Sequence, residues 1–186
     1  MAYIAWHMRM GRMSDVQYVI FETRWGPAGI RGRVGRVQRF CLPNQDTDAL
    51  ERDLLERGPA RLNPTFMPDL QRAVRAYVQG EAVDFRPFAL DIEALSPFSR
   101  KVVDACRSVP YGQTLTYGGL ALRAGCPGAA RAVGSVMRRN PVPLLVPCHR
   151  ILPSSGGVGG FSGPGGPRLK QRLLDLERAG VAKLRS

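Results

Sequence analysis

Apolar and polar positions change their period along this chain. Residues 16–23 are rich in β-branched and aromatic side chains and predict a strand. Gly26-Pro27-Ala28-Gly29 predicts a turn. Residues 30–42 predict one or two further strands, broken near Gly32 and Gly35, giving a small antiparallel meander. The spacing then becomes helical. Leu50, Leu54 and Leu55 share a face of a helix expected over 46–57, capped by Asp46 or Thr47 and ended by Gly58. A second helix is expected over 68–79, with Pro68 in its first turn, Leu70, Val74, Tyr77 and Val78 as its buried stripe, and Gly80 after it. Residues 81–95 predict an extended connection. The start, to about Asp15, reads as a loose extension in which His7 is solvent-exposed.

In the second half, Ser96-Pro97 opens a helix that runs to about Arg107, with Ser96 as cap. Residues 109–112 break it. Two short helices over 117–123 and 129–139, joined by the turn Ala124-Gly125-Cys126-Pro127-Gly128, form a helix-turn-helix. The second carries Arg131, Arg138 and Arg139 beside small Ala132 and Gly134, a surface able to approach a nucleic-acid groove. An ordinary helical hairpin with a solvated basic face has the same pattern. Pro141, Pro143 and Pro147 exclude both helix and central strand from an apolar segment, which must be irregular yet buried. A glycine-rich loop fills 154–166, and a last amphipathic helix is expected over 168–178, with Leu169, Leu173, Leu174 and Leu176 apolar.

The length of 186 residues suits one domain or two small ones, and 44% apolar residues argue against disorder. No apolar run approaches the ~18 residues of a membrane span, and the first residues lack the apolar stretch of a signal peptide. Four cysteines do not make a disulfide framework, so a reducing, cytoplasmic setting is expected. The net charge of +12 is uneven: residues 1–93 hold 13 basic and 12 acidic side chains, and residues 94–186 hold 14 and 3. A one-sided excess suits a polyanion such as nucleic acid, although solubility or compositional drift would also produce it.

Cys148 lies beside His149 among basic residues, whose charge would lower the thiol pKa and favour the nucleophilic thiolate. An inert buried Cys next to a hydrogen-bonded His fits the same letters. Cysteines at 41, 106, 126 and 148 form no C-x-x-C pair, so no metal site is expected. Adjacent residues tend to point apart, which makes a direct Cys-His hydrolase awkward. A Cys that accepts a group, with His149 acting through a water and an acid orienting it, remains open. The acids of the second half are Asp104, Asp175 and Glu177.

Pro147-Cys148-His149-Arg150 with Asn140-Pro141 before it resembles the active-site motif of the O6-alkylguanine-DNA alkyltransferases. Pro110-Tyr111-Gly112-Gln113, Thr116-Tyr117, Ala130-Arg131-Ala132-Val133-Gly134, Gly156, Gly160-Phe161-Ser162-Gly163 and the Lys170…Leu173-Leu174…Glu177 helix follow in the family's order, over about 97–177. The resemblance implies an α+β fold: a small N-terminal antiparallel sheet-and-helix domain (1–95, ribonuclease-H-like), then a mainly helical, winged-helix-like domain with the helix-turn-helix (96–186). It implies a one-turnover DNA repair protein that moves an alkyl group from guanine O6 to its own Cys148. Cys148, His149 and Glu177 resemble the proton relay, Asn140 the brace beside it, and Tyr117 the donor to the guanine ring. Ile151, Phe161, Ser162 and Gly163 resemble the base pocket. Arg131 resembles the arginine that fills the space of a flipped nucleotide, with Ala130, Ala132, Gly134 and Arg138 on the same DNA-facing helix. The implied partner is double-stranded DNA containing O6-alkylguanine, bound by a monomer, with no cofactor, metal or membrane. This chain has Phe161 where the motif often has Tyr, a 164–169 stretch about two residues longer than usual, and Val103 where an aromatic is common.

Overall fold

The computed structural model describes residues 15–43, 46–92 and 94–184; His7 and nearly all of the expected N-terminal extension lie outside them. Strands β1 (Gln17–Phe21), β2 (Ala28–Arg33) and β3 (Arg36–Cys41) form an antiparallel meander, so the 30–42 region is the end of one strand and the whole of another. Two short strands extend the sheet. β4 (Arg61–Leu62) runs parallel to β1, and β5 (Ala89–Leu90), inside the expected connection, runs parallel to β3, giving the order β4-β1-β2-β3-β5.

Helix α1 (Thr47–Leu55) covers one face of this sheet, with Leu50 and Leu54 against Tyr18 and Cys41. Asp46 caps it by accepting from the Ala49 amide. Its C-terminal end is held by buried Arg31 of β2, which donates to the Leu54 and Gly58 carbonyls at 2.8 and 2.7 Å. The Leu54 carbonyl lies in the last turn, where no helical amide reaches it, so the buried guanidinium satisfies it and ties it to the chain just past the helix. The other face meets α2 (Pro68–Val78) through Leu70, Val74, Tyr77 and Val78.

The second half contains α3 (Pro97–Arg107), capped by Ser96, then α4 (Tyr117–Arg123) and α5 (Ala130–Arg138) around a turn, and α6 (Pro167–Leu184). The last helix runs six residues past its expected end at 178. Gly180 does not stop it. Gly180 is where the helix meets Tyr111 and the Gly80 carbonyl; a Cβ there would lie 2.4 Å from Tyr111 Oη and 2.6 Å from that oxygen. Two further short strands, β6 (Leu115–Thr116) and β7 (Ile151–Leu152), pair in parallel. They are the only strand pair of this half among the described residues, so no hairpin wing is seen there.

One buried cluster joins both halves. It includes Val19, Phe40 and Tyr77 from the first and Val102, Val133, Cys148 and Leu173 from the second. The Phe40 amide also donates to the Pro141 carbonyl at 2.9 Å, fixing the proline-rich segment to the end of the sheet.

Candidate active site

Asn140 folds the proline-rich segment onto itself. Its Oδ1 accepts from the Val142 amide at 3.0 Å, and its Nδ2 donates to the Val146 carbonyl at 2.8 Å and to Cys148 Sγ at 3.3 Å. Leu144 completes the bend at φ 68°, a conformation costly for a side chain with a Cβ and tolerated because the surroundings fix it. The bend delivers Cys148 to the first position of a single 3₁₀ turn, Cys148–Arg150.

Cys148 and His149 then diverge. The sulfur meets Asn140, while His149 Nε2 meets Glu177 Oε1 at 2.8 Å. Both relay partners are inside: His149 is 0% and Glu177 1% exposed. Glu177 faces inward because it follows Lys170, Leu173 and Leu174 on the buried side of α6. Arg150 reaches the same carboxylate through Nε (3.1 Å) and Nη2 (2.9 Å), and the Gly112 amide donates to Oε2 at 2.9 Å. Gly112 has φ +71° and its Cβ would fall 2.3 Å from Val181, so only glycine brings this amide so close.

The charges follow from these contacts. Burial pushes Glu177 up, but the hydrogen bond from His149 and the hydrogen bonds and charge of Arg150 outweigh it and hold the carboxyl down to about 2. Burial lowers the His149 pKa despite Glu177, with Arg150 and Lys170 adding to the decrease, so the imidazole is neutral. A carboxylate at Nε2 places the proton on that nitrogen and leaves Nδ1, which has no protein partner, as an acceptor. The expectation that basic neighbours hold Cys148 ionised is corrected. Burial raises its pKa; the Asn140 hydrogen bond, Lys170 and the Cys148 and His149 backbone amides only reduce the rise. The resting group is therefore a thiol surrounded by groups that favour its anion.

Cys148 lies between two cavities. One of about 340 Å³ is lined by Tyr117, Gly134, Arg138, Phe161 and Ser162. The other, about 240 Å³, lies toward Arg39, Cys41 and Asp53 and includes Gly163. A Cβ on Gly163 would be 2.5 Å from Phe161 and 2.9 Å from Leu42, so this glycine lets the loop close against β3. Burial raises the Tyr117 pKa and keeps its hydroxyl protonated. Lys170 Nζ donates to the Ile151 carbonyl at 2.7 Å and sits 5.9 Å from the Tyr117 ring centroid. Ile151 is fully buried and lines neither cavity. On α5, Val133, Val136 and Met137 face the core, Ala130 is half-buried, and Arg131, Ala132, Arg138 and Arg139 are exposed. No group of three potential metal ligands occurs among the described residues.

Two participants escaped the sequence reading. Arg150 belonged to the motif but had no role. Tyr77 had been placed in a core stripe, and its hydroxyl donates to Glu177 Oε1 at 2.7 Å. A phenol inside an otherwise aliphatic stripe was the available signal.

Residues 97–179 match the family model of the 6-O-methylguanine DNA methyltransferase DNA-binding domain. A methylated-DNA–protein-cysteine methyltransferase of Methanothermobacter thermautotrophicus is 40% identical over 61% of this chain and 62% of its own length. A protein of that name from Methanosarcina acetivorans is 32% identical over 86% of this chain and 97% of its own length. A DNA base-flipping protein of Thermus thermophilus is 41% identical over 70% of this chain and 85% of its own length. The crystal structure of a Mycobacterium tuberculosis relative in complex with DNA superposes with a TM-score of 0.74, at 30% identity over 88% of this chain and 94% of that one. With its motifs in order and its fold matched across both halves, the chain belongs to the methylated-DNA–protein-cysteine methyltransferase family.

Proposed function

We propose that this protein repairs duplex DNA by moving an alkyl group from guanine O6 irreversibly onto Cys148, once per molecule. The observation that carries the reading is a thiol at the edge of a cavity beside the helix-turn-helix, with Asn140 on its sulfur and neutral His149 and ionised Glu177 next to it.

The exposed basic face of α5 contacts the backbone, and Arg131 takes the space of the flipped nucleotide. Flipping costs a few kcal/mol and brings an otherwise stacked base to the sulfur. The base enters the cavity between Tyr117 and Phe161. His149 Nδ1 takes the thiol proton through a bridging water, and Glu177 stabilises the imidazolium that forms. The sulfur attacks the alkyl carbon as the carbon–O6 bond breaks, and its electron pair stays on guanine. The protonated Tyr117 hydroxyl donates to the ring as that charge develops, a bond that strengthens only in the transition state. Asn140 and Lys170 favour the anionic sulfur along the way. The resulting thioether has no leaving group, so the protein is consumed. All these groups come from one chain, which acts as a cytoplasmic monomer with no cofactor.

Intact-protein mass spectrometry after mixing with an O6-methylguanine duplex should show one added methyl group, on Cys148, and binding should weaken steeply with salt. A protein that binds the duplex but gains no mass would instead be a sensor of alkylated bases. The Thermus relative's name makes that the second reading, and the donors grouped around Cys148 favour transfer over it.

A further inference from the structure

We propose that Tyr77, from the N-terminal half, is a positioning residue that sets the basicity of His149 through their shared partner, Glu177 Oε1. The proposal rests on the reading in which His149 accepts the Cys148 proton. It adds a control on that step from outside the segment bearing the family's motif.

The geometry is specific. Glu177 Oε1 receives Tyr77 Oη at 2.7 Å, His149 Nε2 at 2.8 Å and Arg150 Nη2 at 2.9 Å. An ionised carboxylate only accepts, so the Tyr77 proton points at Glu177. His149 Nε2 lies 3.3 Å from the phenol oxygen, but its N–H is directed at the nearer, charged Glu177 Oε1, so Tyr77 acts on it by competing for that oxygen. The two rings meet edge-on, with centroids 6.5 Å apart. Tyr77 is completely buried, and its ring is fixed edge-on against Phe85 at 5.6 Å and Tyr111 at 6.0 Å, so it cannot readily turn away.

Several donors share one negative charge. Each bond that the carboxylate makes elsewhere weakens its hold on the imidazole N–H, and hence the pull that makes the ring basic. Removing the Tyr77 hydroxyl concentrates that pull on His149. Glu177 and Lys170 face His149 from α6, Arg150 and Cys148 from its own turn, and Tyr77 from α2; Tyr111, after α3, lies close enough to Glu177 to feel its charge. Of these, Tyr77 alone comes from the first half and carries no charge to remove, so its replacement tests hydrogen bonding rather than loss of an ion. A tyrosine present only to fill the core would leave the imidazole's proton affinity unaltered when its oxygen is removed.

The test is an NMR titration of the His149 ring nitrogens in wild type and in Tyr77→Phe. The chain has two histidines, so His7→Gln completes the assignment. The His149 titration should move up by about half a pH unit to one unit, the worth of one hydrogen bond. Tyr77→3-fluorotyrosine, a stronger donor of the same shape, should move it down and guards against a poorly folded phenylalanine variant. In single-turnover transfer from an O6-methylguanine duplex, the acidic limb of the rate profile should move with each titration. An unmoved His149, whether it titrates at one pH in all three proteins or stays neutral to about pH 5 in all of them, overturns the proposal. So does a rate that falls uniformly at every pH. The NMR arm needs no turnover. If wild type transfers no methyl group, the alkyltransferase reading fails while His149 still decides the role of Tyr77.

Discussion

Cys41 and Cys148 are equally buried, 5% exposed each, and they line the same cavity. Their partners are opposite in kind. Cys41, at the end of β3, donates its proton to Asp53 Oδ2 at 2.9 Å. Burial pushes its pKa far up and the carboxylate adds to the rise; Arg39 pulls the other way but is itself paired with Asp53. Cys148 is also pushed up by burial, yet its sulfur receives a hydrogen bond from Asn140 and lies near the Lys170 ammonium. Depth alone therefore separates nothing. The direction of the hydrogen bond at sulfur distinguishes a thiol locked with its proton from one arranged to lose it.

The largest test of this contrast exchanges the sulfurs one at a time. Cys148→Ala should abolish methyl uptake, read as intact mass, while leaving duplex binding; Cys41→Ala should leave uptake unchanged. Loss of uptake in the second variant would break the comparison. Next in size is the acid sensitivity of the support behind Cys148. His149 has its folded pKa below the ordinary ~6.5, so the unfolded chain takes up its proton first and stability declines as pH falls below that value. Glu177, held at about 2, stabilises the fold fully above the ordinary carboxylate range and loses that contribution as pH falls from ~4.3 toward 2. Urea midpoints at stepped pH should show both losses, and Glu177→Gln should remove the lower one.

Asn140→Ala removes the donor to Cys148 and frees the Val146 carbonyl. The rate of transfer at neutral pH should fall about tenfold, as expected for a buried hydrogen bond worth about 1–2 kcal/mol. The smallest effect is expected at the other thiol. Asp53→Asn takes away the charge that locks Cys41, so iodoacetamide should label Cys41 slightly faster, with Cys148 labelling as a reference. An unaltered Cys41 rate would mean that burial alone protects it.

Much of this was legible in the chain. Caps at Asp46 and Ser96, the stripes of α1 and α2, and the glycine turn between α4 and α5 are local signals, and the structure places those elements accordingly. β4, β5, β6 and β7 have two residues each, too few to carry a period; they exist because tertiary packing brings two backbones together. The last helix continues past 178 because Gly180 lets it pack closely on Tyr111 and the Gly80 carbonyl, a tertiary contact the local pattern does not carry. In the site, Asn140, Cys148 and His149 lie within ten residues of one another and announce themselves. Tyr77 and Glu177 stand 100 positions apart, and only folding unites them. The protonation of Cys148 is not legible in the sequence, because its cationic neighbours are visible in the letters and its desolvation is not.

The buried cluster crosses residue 95 without interruption, and this affects how the molecule comes apart. Cutting the chain there would withdraw Phe40 from Pro141 and the Tyr77 phenol from Glu177, admitting water to a carboxylate that is otherwise 1% exposed. Each fragment would expose part of that shared cluster. Calorimetry should record a single endotherm, and the reactive loop should exchange its amide hydrogens as slowly as the central strands it leans on.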